Sequence, residues 1–361
     1  TAPVDPLSNR SMPVAQNVTL AEGSVISVSA IDPITGQGVL LPYGLILNGT
    51  SWIDPRGVDI TAGGGPTKHI SIAGVNLTTQ AGSSVDLRGG GDLYAYRWVS
   101  GTGGNVDILG TSSLTWDATA TYAAGTLVSY KGQTYSARQG STGVTPTPNL
   151  YWTQVQKTYA VLPGYGANYA PYDPFNASQY ATNLGGDPGY VNNAGLSVGD
   201  RVYLGGSAAL RAGSYTLLPA RYALLPGAVL VTPLSGSPIG TFGLEDGSHL
   251  VSGFAYNNLN SSRDVPTIFS RFEVASSSVL RQRAEYKDYF ANTFLKERAA
   301  KLGLTVDRLP EDAGHLILSA SQSMNLLGQV QAQSTVGGRG GLVDISSSAD
   351  IYIGSGGSGP P

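Results

Sequence analysis

The sequence predicts an all-β chain whose main part is a β-solenoid, and three features support this fold class. Short runs of alternating apolar and polar residues occupy the stretch from Thr67 to Leu109 and return between Leu316 and Ile353. Clusters of Gly, Ser and Asn separate these runs, and glycine alone accounts for 49 of the 361 residues. An alternation with a period of two is typical of strands. Strand-and-turn units that recur about every 10 to 20 residues favour a solenoid, in which each coil buries its inward side chains against the next.

The two stretches also resemble each other, which predicts that they are coils of one solenoid. The runs of the first stretch are Ile70-Ser71-Ile72, Val75-Asn76-Leu77, Val85-Asp86-Leu87, Leu93-Tyr94-Ala95-Tyr96 and Val106-Asp107-Ile108. Those of the second are Leu316-Ile317-Leu318, Met324-Asn325-Leu326, Leu342-Val343-Asp344-Ile345 and Ile351-Tyr352-Ile353. The phrase GTGGNVDI at 101–108 is echoed by GGRGGLVDI at 337–345. A β-sandwich is the alternative, but Asn48-Gly49 and Asp246-Gly247 lack clear flanking strands for its hairpins.

One segment predicts an amphipathic helical insertion. It runs from Ser276 to Gly303 and reads SSSVLRQRAEYKDYFANTFLKERAAKLG. Serines at its start and the glycine at its end are typical helix caps. The apolar positions that would share one face of this helix are Val279, Tyr286, Phe290 and Phe294. We expect this stripe to pack onto the solenoid or its loops, and the alternative is a partner-binding helix.

The composition excludes several classes of function. A net charge of -3 offers no basic surface for nucleic acid, and no apolar run reaches the roughly 18 residues that would span a bilayer. The chain has no cysteine, which excludes thiol nucleophiles, cysteine zinc sites and disulfides. This is consistent with a bacterial protein that crosses an oxidising periplasm before folding. Because the chain begins Thr1-Ala2-Pro3 without Met, we expect it to be part of a longer polypeptide.

The sequence predicts no catalytic centre and no cofactor. Solenoid enzymes that cleave polysaccharides need clustered carboxylates, and the candidates here are Asp86, Asp92, Asp107, Asp344 and Asp350. Aspartates in strand-and-turn repeats are more often turn residues. The three histidines are His69, His249 and His315. Because they lie far apart in the sequence and form no metal-binding motif, no zinc site is predicted.

The most irregular part of the chain, residues 157–232, carries a family resemblance. It contains the phrases YAVLPGYGANYAPYDP, from Tyr159, and LRAGSYTLLPARYALLPGA, from Leu210. Together with Arg271–Leu302, these phrases resemble the C-terminal domain of filamentous-haemagglutinin-like exoproteins, which use the two-partner secretion route. The resemblance covers nearly the whole chain outside residues 112–156. It implies a right-handed parallel β-helix, secretion or surface display through an outer-membrane β-barrel partner, a role in adhesion, and no catalytic residues.

Residues 112–156 carry a second resemblance. Their landmarks, in order, are Trp116, Tyr122, Gly125, Val128, Tyr130, Gly132, Tyr135, Ala137, Gly143, Pro146 and Trp152. This pattern resembles the small chitin- and cellulose-binding modules of bacterial glycoside hydrolases. A domain below roughly 50 residues without disulfides must build its core from large aromatic side chains. The predicted core aromatics are Trp116, Tyr122, Tyr135 and Trp152. Since the segments 106–109 and 159–162 would join naturally without it, the module is expected to be inserted into a solenoid loop.

The modules of this kind bind polysaccharide by stacking exposed aromatic rings on sugar rings. At the two positions where such rings occur, this chain has Arg138-Gln139-Gly140 and Val144-Thr145. The candidates left for glycan binding are Tyr151, Tyr130, Arg138 and Gln139. Crystalline chitin does not suit this reduced set, so the module is expected either to bind another glycan or to act as a structural spacer.

These observations predict a secreted or surface-displayed bacterial adhesin that attaches to a glycan on a host or neighbouring cell. The predicted segments are a first part of the β-helix (1–111), the inserted module (112–156), an irregular continuation of the β-helix (157–269), a helical appendage (270–312) and a last part of the β-helix (313–361). The outer-membrane β-barrel would be its secretion partner, with no nucleic-acid partner and no membrane insertion. The alternatives are a β-helical polysaccharide-degrading enzyme and a non-binding cap that ends the filament.

Overall fold

The computed structural model describes residues 15–99, 101, 104, 107–109, 116–131, 133–155, 157–171, 196, 198–234, 240–256 and 270–348. The strands of the first half are β1 (Asn17–Leu20), β2 (Val25–Ser27), β3 (Leu40–Pro42), β4 (Leu45–Leu47), β5 (Ser51–Ile53), β6 (His69–Thr79), β7 (Ser84–Asp86), β8 (Asp92–Trp98), β9 (Thr121–Tyr122), β10 (Leu127–Tyr130), β11 (Gln133–Ala137), β12 (Ser141–Thr142) and β13 (Trp152–Val155). Those of the second half are β14 (Tyr159–Val161), β15 (Arg201–Leu204), β16 (Gly213–Thr216), β17 (Leu218–Pro219), β18 (Val229–Leu234), β19 (Phe242–Gly243), β20 (His249–Ala255), β21 (Ser270–Ser276), β22 (Tyr286–Phe290), β23 (His315–Leu326), β24 (Gln329–Gln331) and β25 (Leu342–Ser347). The α-helices are α1 (Ser277–Arg283) and α2 (Ala291–Leu302), and a short 3₁₀ helix covers Ala220–Leu224. Strands dominate, which confirms the predicted all-β class.

The chain divides into two compact units. The first comprises Thr1–Ile53, Asp59–Ala95 and Tyr289–Pro361, and the second comprises Asp54–Val58 and Tyr96–Asp288. Each unit has hydrophobic clusters of its own.

The first unit contains parallel sheets. One has the strand order β1-β6-β23-β25 and another the order β2-β7-β24, and all their pairings are parallel. β3 also pairs in parallel with β8. The two alternating stretches of the sequence therefore meet directly, because β6 lies beside β23 with His69 opposite His315. The last predicted run, at 351–353, lies outside the described residues.

The core of the first unit follows from this register. Ile70 lies opposite Leu316 and Ile72 opposite Leu318, and all four side chains are buried. The residues between them, such as Ser71, point to the other face because side chains alternate along a strand. Stacking like residues on successive parallel strands thus builds the apolar interior. The apolar residues of the alternating sequence pattern are therefore the ones that face this interior.

Two hairpins were not predicted from the sequence. Asn48-Gly49 joins β4 to β5, in which Leu47 lies opposite Ser51, and both turn residues have positive φ. Asp246-Gly247 lies in the turn that joins β19 to β20. The expectation that these dipeptides lack partner strands is wrong, although the first loop has three residues and the second five, so neither is a two-residue hairpin. The strands beside each turn are short, so alternation could not reveal them.

The second unit is dominated by an antiparallel sheet. Its strand order is β16-β15-β20-β21-β18-β14-β17, and β19 pairs with β20. The prediction that 157–269 continue the β-helix is therefore wrong for the described residues, since a β-helix requires parallel pairing. Val202, Val231, Val251 and Phe272 are among the residues of its buried core. Residues 107–109, part of a predicted strand run, are not in a strand.

The predicted single helix over Ser276–Gly303 is also wrong. α1 ends at Arg283, Ala284 is extended (φ −152°, ψ 142°), and the chain forms β22 before α2 begins. In β22 the Tyr286 ring packs edge-on against Tyr96, with centroids 5.5 Å apart. Its hydroxyl donates to Asp107 at 2.8 Å. These long-range contacts outweigh the local helix preference. Gly303 does end α2 in the left-handed conformation (φ 66°), as predicted.

The predicted apolar stripe is divided in consequence. Tyr286 is 6 % exposed, whereas Phe290 is 41 % exposed. Phe294 packs edge-on against Trp52 at 5.5 Å. No helix among the described residues is long and apolar enough to cross a membrane.

Candidate functional site

The described residues of the predicted module form two small antiparallel sheets. One has the order β10-β11-β13 and the other pairs β9 with β12. Val128 lies opposite Tyr135, and Ala137 lies opposite Trp152. Opposite residues of neighbouring strands share a face of the sheet, so these four side chains face one interior.

This interior contains most of the aromatic landmarks. Tyr122, Tyr135 and Trp152 are buried, and the Tyr122 and Trp152 rings meet edge-on at 5.5 Å. The Trp152 indole N–H donates to the Val144 carbonyl at 2.8 Å, which satisfies its polar atom inside the core. Trp116 is only partly buried at the margin of the same cluster. The module therefore has a compact aromatic core of its own.

Three of the four candidate glycan-binding residues lie together at one end of β11. The Arg138 N–H donates to the Tyr151 carbonyl at 2.7 Å, and Gln139 follows directly. The Asn149 side chain accepts from the Tyr151 N–H at 2.7 Å and so holds the turn that presents this tyrosine. Arg138 and Gln139 are exposed, and Tyr151 is half-buried against the module core. Leu150, beside Tyr151, is 71 % exposed.

The fourth candidate, Tyr130, lies at the other end of the sheet. It is opposite Gln133, at the start of β11, whereas Arg138 follows the end of that strand. Five residues of strand correspond to about 16 Å, so Tyr130 cannot join the other three in one small site. Its ring packs edge-on against Trp116 at 5.2 Å, with the Lys131 ammonium 5.3 Å from its centroid.

The arrangement at Arg138 suits the recognition of a polar ligand with one apolar face. The guanidinium offers several N–H donors and the Gln139 amide adds a donor and an acceptor. The Tyr151 ring and Leu150 supply a small apolar surface beside them. Leu150 and Asn149 were not among the residues predicted from the sequence. The position of Asn149 two residues before Tyr151 was the available signal, because Asn often bonds to the backbone two residues on.

The candidate catalytic carboxylates are held by separate partners. Asp86 accepts from the Arg88 guanidinium at 2.8 Å. Asp107 accepts from the Tyr286 hydroxyl, and Asp344 contacts the His315 imidazole. Asp350 lies outside the described residues. These bonds fit structural roles in turns and strand contacts.

Asp92 is the carboxylate whose electrostatics come nearest to those of a general acid. Burial raises the pKa of Asp92 above its ordinary value, although backbone N–H groups lower it in part. A raised pKa is typical of a catalytic acid. However, Asp92 Oδ1 accepts from the Asn292 N–H at 3.0 Å and from the Leu93 N–H at 2.8 Å. It thereby caps the first turn of α2, so its hydrogen bonds fit a structural role at the start of the helix.

The comparisons with known proteins add no family to this picture: the chain matches no protein-family profile, no curated protein and no solved structure.

Proposed function

We propose that this chain is part of a secreted or surface-displayed bacterial adhesin, in which a right-handed parallel β-helix carries an inserted glycan-binding module. The observation that carries the proposal is the pairing of sequence-distant strands in parallel, combined with a small aromatic module contained in one continuous insertion. The parent protein would leave the cell through an outer-membrane β-barrel partner.

The β-helix is supported by the order in which the parallel strands pair. β1, β2 and β3 follow one another in the chain, and they pair in the same order with β6, β7 and β8. β23 and β24 then add to β6 and β7, and β25 adds to β23. This pairing order is the one expected of successive coils of a β-helix. Right-handedness follows from the general rule that parallel crossovers within one sheet are right-handed.

The glycan-binding role is supported by the exposed groups at one end of β11. Arg138, Gln139 and Leu150 reach solvent beside Tyr151, on a module whose core does not need them. Each such site would be weak, and attachment would come from many copies acting together on a cell surface.

The test is retention of the full chain on bacterial, plant and host polysaccharides and on a glycan array. We expect Tyr151→Ala and Arg138→Ala to weaken retention by about 3- to 10-fold, the range expected for one lost stacking or charged contact. The matched control is Tyr169→Ala, because Tyr169 is 71 % exposed but lies outside the module. This control should bind as the unchanged chain does.

The same assay separates the alternatives. Release of soluble sugar products would favour a polysaccharide-degrading enzyme. A folded chain that neither binds nor cleaves any polysaccharide would favour a structural cap. Equal loss of retention in Tyr151→Ala and Tyr169→Ala would place the contact outside the proposed site.

A further inference from the structure

Two histidines that are far apart in the sequence lie side by side on the parallel sheet of the first unit. His69 begins β6 and His315 begins β23, and these residues are directly opposite in the parallel register. Their buried neighbours Ile70 and Leu316 face the interior, so both imidazoles point to the outer face. His69 is exposed and His315 is half-buried.

The separation of the two rings matches that of a chelating pair. Their centroids are 5.5 Å apart, with the ring planes at 63°. For two imidazoles on one tetrahedral ion with metal–nitrogen distances of about 2.1 Å, the centroids would be about 5 Å apart. Small side-chain rotations on an exposed surface would cover the difference.

A carboxylate on the next strand orients one of these rings. Asp344 of β25 lies 2.8 Å from the Nε2 of His315, measured to Oδ2. Because a carboxylate only accepts hydrogen bonds, Nε2 must carry the proton. In the neutral imidazole, Nδ1 then keeps its lone pair and is the nitrogen that a metal ion could bind. A carboxylate behind a metal-binding histidine is a common supporting arrangement.

We propose that His69 and His315 form a binding site for a divalent transition-metal ion of the zinc class, with Asp344 as a positioning residue. No group of three or more His, Asp or Glu side chains in the described part of the chain is arranged as a metal centre. The two histidines are the protein donors of the proposed site, and water would complete the coordination. Imidazole nitrogen favours Zn²⁺, Ni²⁺ and Cu²⁺ over Ca²⁺ and Mg²⁺, which prefer oxygen ligands.

A metal at this position would act as a clamp. It would link β6 to β23, which are joined in sequence only through a very long connection. A ligand that binds the folded state alone raises its stability. The site therefore predicts that Zn²⁺ raises the melting temperature of the chain and that a chelator reverses this effect.

The experiment uses the full chain, freed of metal with EDTA and titrated with ZnCl₂ by calorimetry and by thermal melting. We expect one ion per chain, a rise in melting temperature with Zn²⁺, and no comparable response to CaCl₂ or MgCl₂. His69→Ala and His315→Ala should each weaken Zn²⁺ binding at least tenfold. His249→Ala is the matched control, because His249 lies in β20 of the other unit, and it should leave binding unchanged.

Asp344 has a separate readout. Asp344→Ala should weaken Zn²⁺ binding by about tenfold, while Asp344→Glu should restore most of it, with the same metal-free melting temperature in both variants. Zn²⁺ binding that survives both histidine variants would overturn the proposal, as would failure of the unchanged chain to bind Zn²⁺. Loss of folding in one alanine variant would be resolved with His69→Gln and His315→Gln, which should fold and still lose the ion.

Discussion

At the scale of single residues, Asp312 accepts more hydrogen bonds than any other carboxylate in the described part of the first unit. Its side chain is nearly inaccessible, and it accepts from the Leu309 N–H and from the Arg339 backbone and guanidinium. Burial alone would raise the pKa of Asp312, but these hydrogen bonds outweigh burial and hold the pKa below its ordinary value of 3.8. The ionised form is therefore the one that the fold stabilises.

We expect Asp312→Asn to lower the free energy of unfolding by about 2 to 4 kcal/mol at neutral pH. The substitution removes the buried carboxylate, so Arg339 and the Leu309 N–H lose charge-assisted hydrogen bonds. The depressed pKa sets the pH window. The stabilisation is fully present above pH 3.8 and is lost as the pH falls through the lower, folded-state value. Urea unfolding of both chains between pH 7 and pH 3 should show a difference that shrinks only below about pH 4.

Glu297→Gln provides the control for this prediction, because Glu297 is an exposed carboxylate of α2 in the same unit. It should change stability by less than about 0.5 kcal/mol. Equal effects of the two variants, or a difference that is constant with pH, would contradict the role given to Asp312.

Contacts of this kind could not be predicted from the sequence. Nothing in the spacing of Asp312 and Arg339, or of His69 and His315, shows that they touch, because each contact depends on how distant segments stack. The contacts around Tyr151 were easier to predict from the sequence, because Asn149, Tyr151 and Arg138 lie within one short module. Local chemistry can be predicted from local sequence, whereas contacts between strands far apart in the sequence cannot.

At the scale of secondary-structure elements, alternation predicted the strands of the parallel sheets well. β6 and β23 coincide with the runs that begin near Ile70 and Leu316. The prediction of a single helix was wrong because the apolar pattern around Tyr286 is compatible both with the helical period of about 3.6 residues and with the strand period of two. As a strand it buries Tyr286, whose hydroxyl reaches Asp107, and this contact was invisible in a helical projection.

The division of that segment predicts unequal effects for two aromatic side chains. Tyr286→Ala should lower the free energy of unfolding by about 3 to 5 kcal/mol, because it removes a buried ring. Phe290→Ala should cost less, about 1 to 2 kcal/mol, since Phe290 is 41 % exposed and packs in a tilted contact with Tyr94 at 5.9 Å. Chemical denaturation of the two variants compares them directly. A continuous helix with both rings on its buried face would instead give similar losses.

At the scale of the whole molecule, composition and alternation predicted the all-β class but not the antiparallel sheet of the second unit. Its strands are short, and proline interrupts several of them, as at Pro219 and Pro233. Which of them pair depends on chain reversals through Tyr- and Pro-rich turns. Such turns have no fixed period, so the sequence showed irregularity where the chain in fact folds into an ordered sheet.

The inserted module offers the sharpest test at this scale. The Thr158 hydroxyl donates to the Ile108 carbonyl at 3.4 Å, so the backbone before the module lies close to the backbone after it. Replacing residues 112–156 by a short Gly-Ser linker should therefore cost little loop entropy. The module's core cluster is separate from that of the antiparallel sheet.

We expect the deleted chain to fold, with a cooperative melting transition and an unchanged strand signal by circular dichroism, and to lose glycan retention. Trp152→Ala is the companion variant: it should unfold the module in place, because losing a buried tryptophan costs about 3 to 5 kcal/mol in a domain with little to spare. Both variants should then fail to bind glycan while the rest of the chain stays folded. Collapse of the whole chain on deletion would mean that the module is an integral part of the fold. A deleted chain that folds and still binds glycan would place the binding site elsewhere, with the Tyr-rich stretch that begins at Tyr159 as the next region to test.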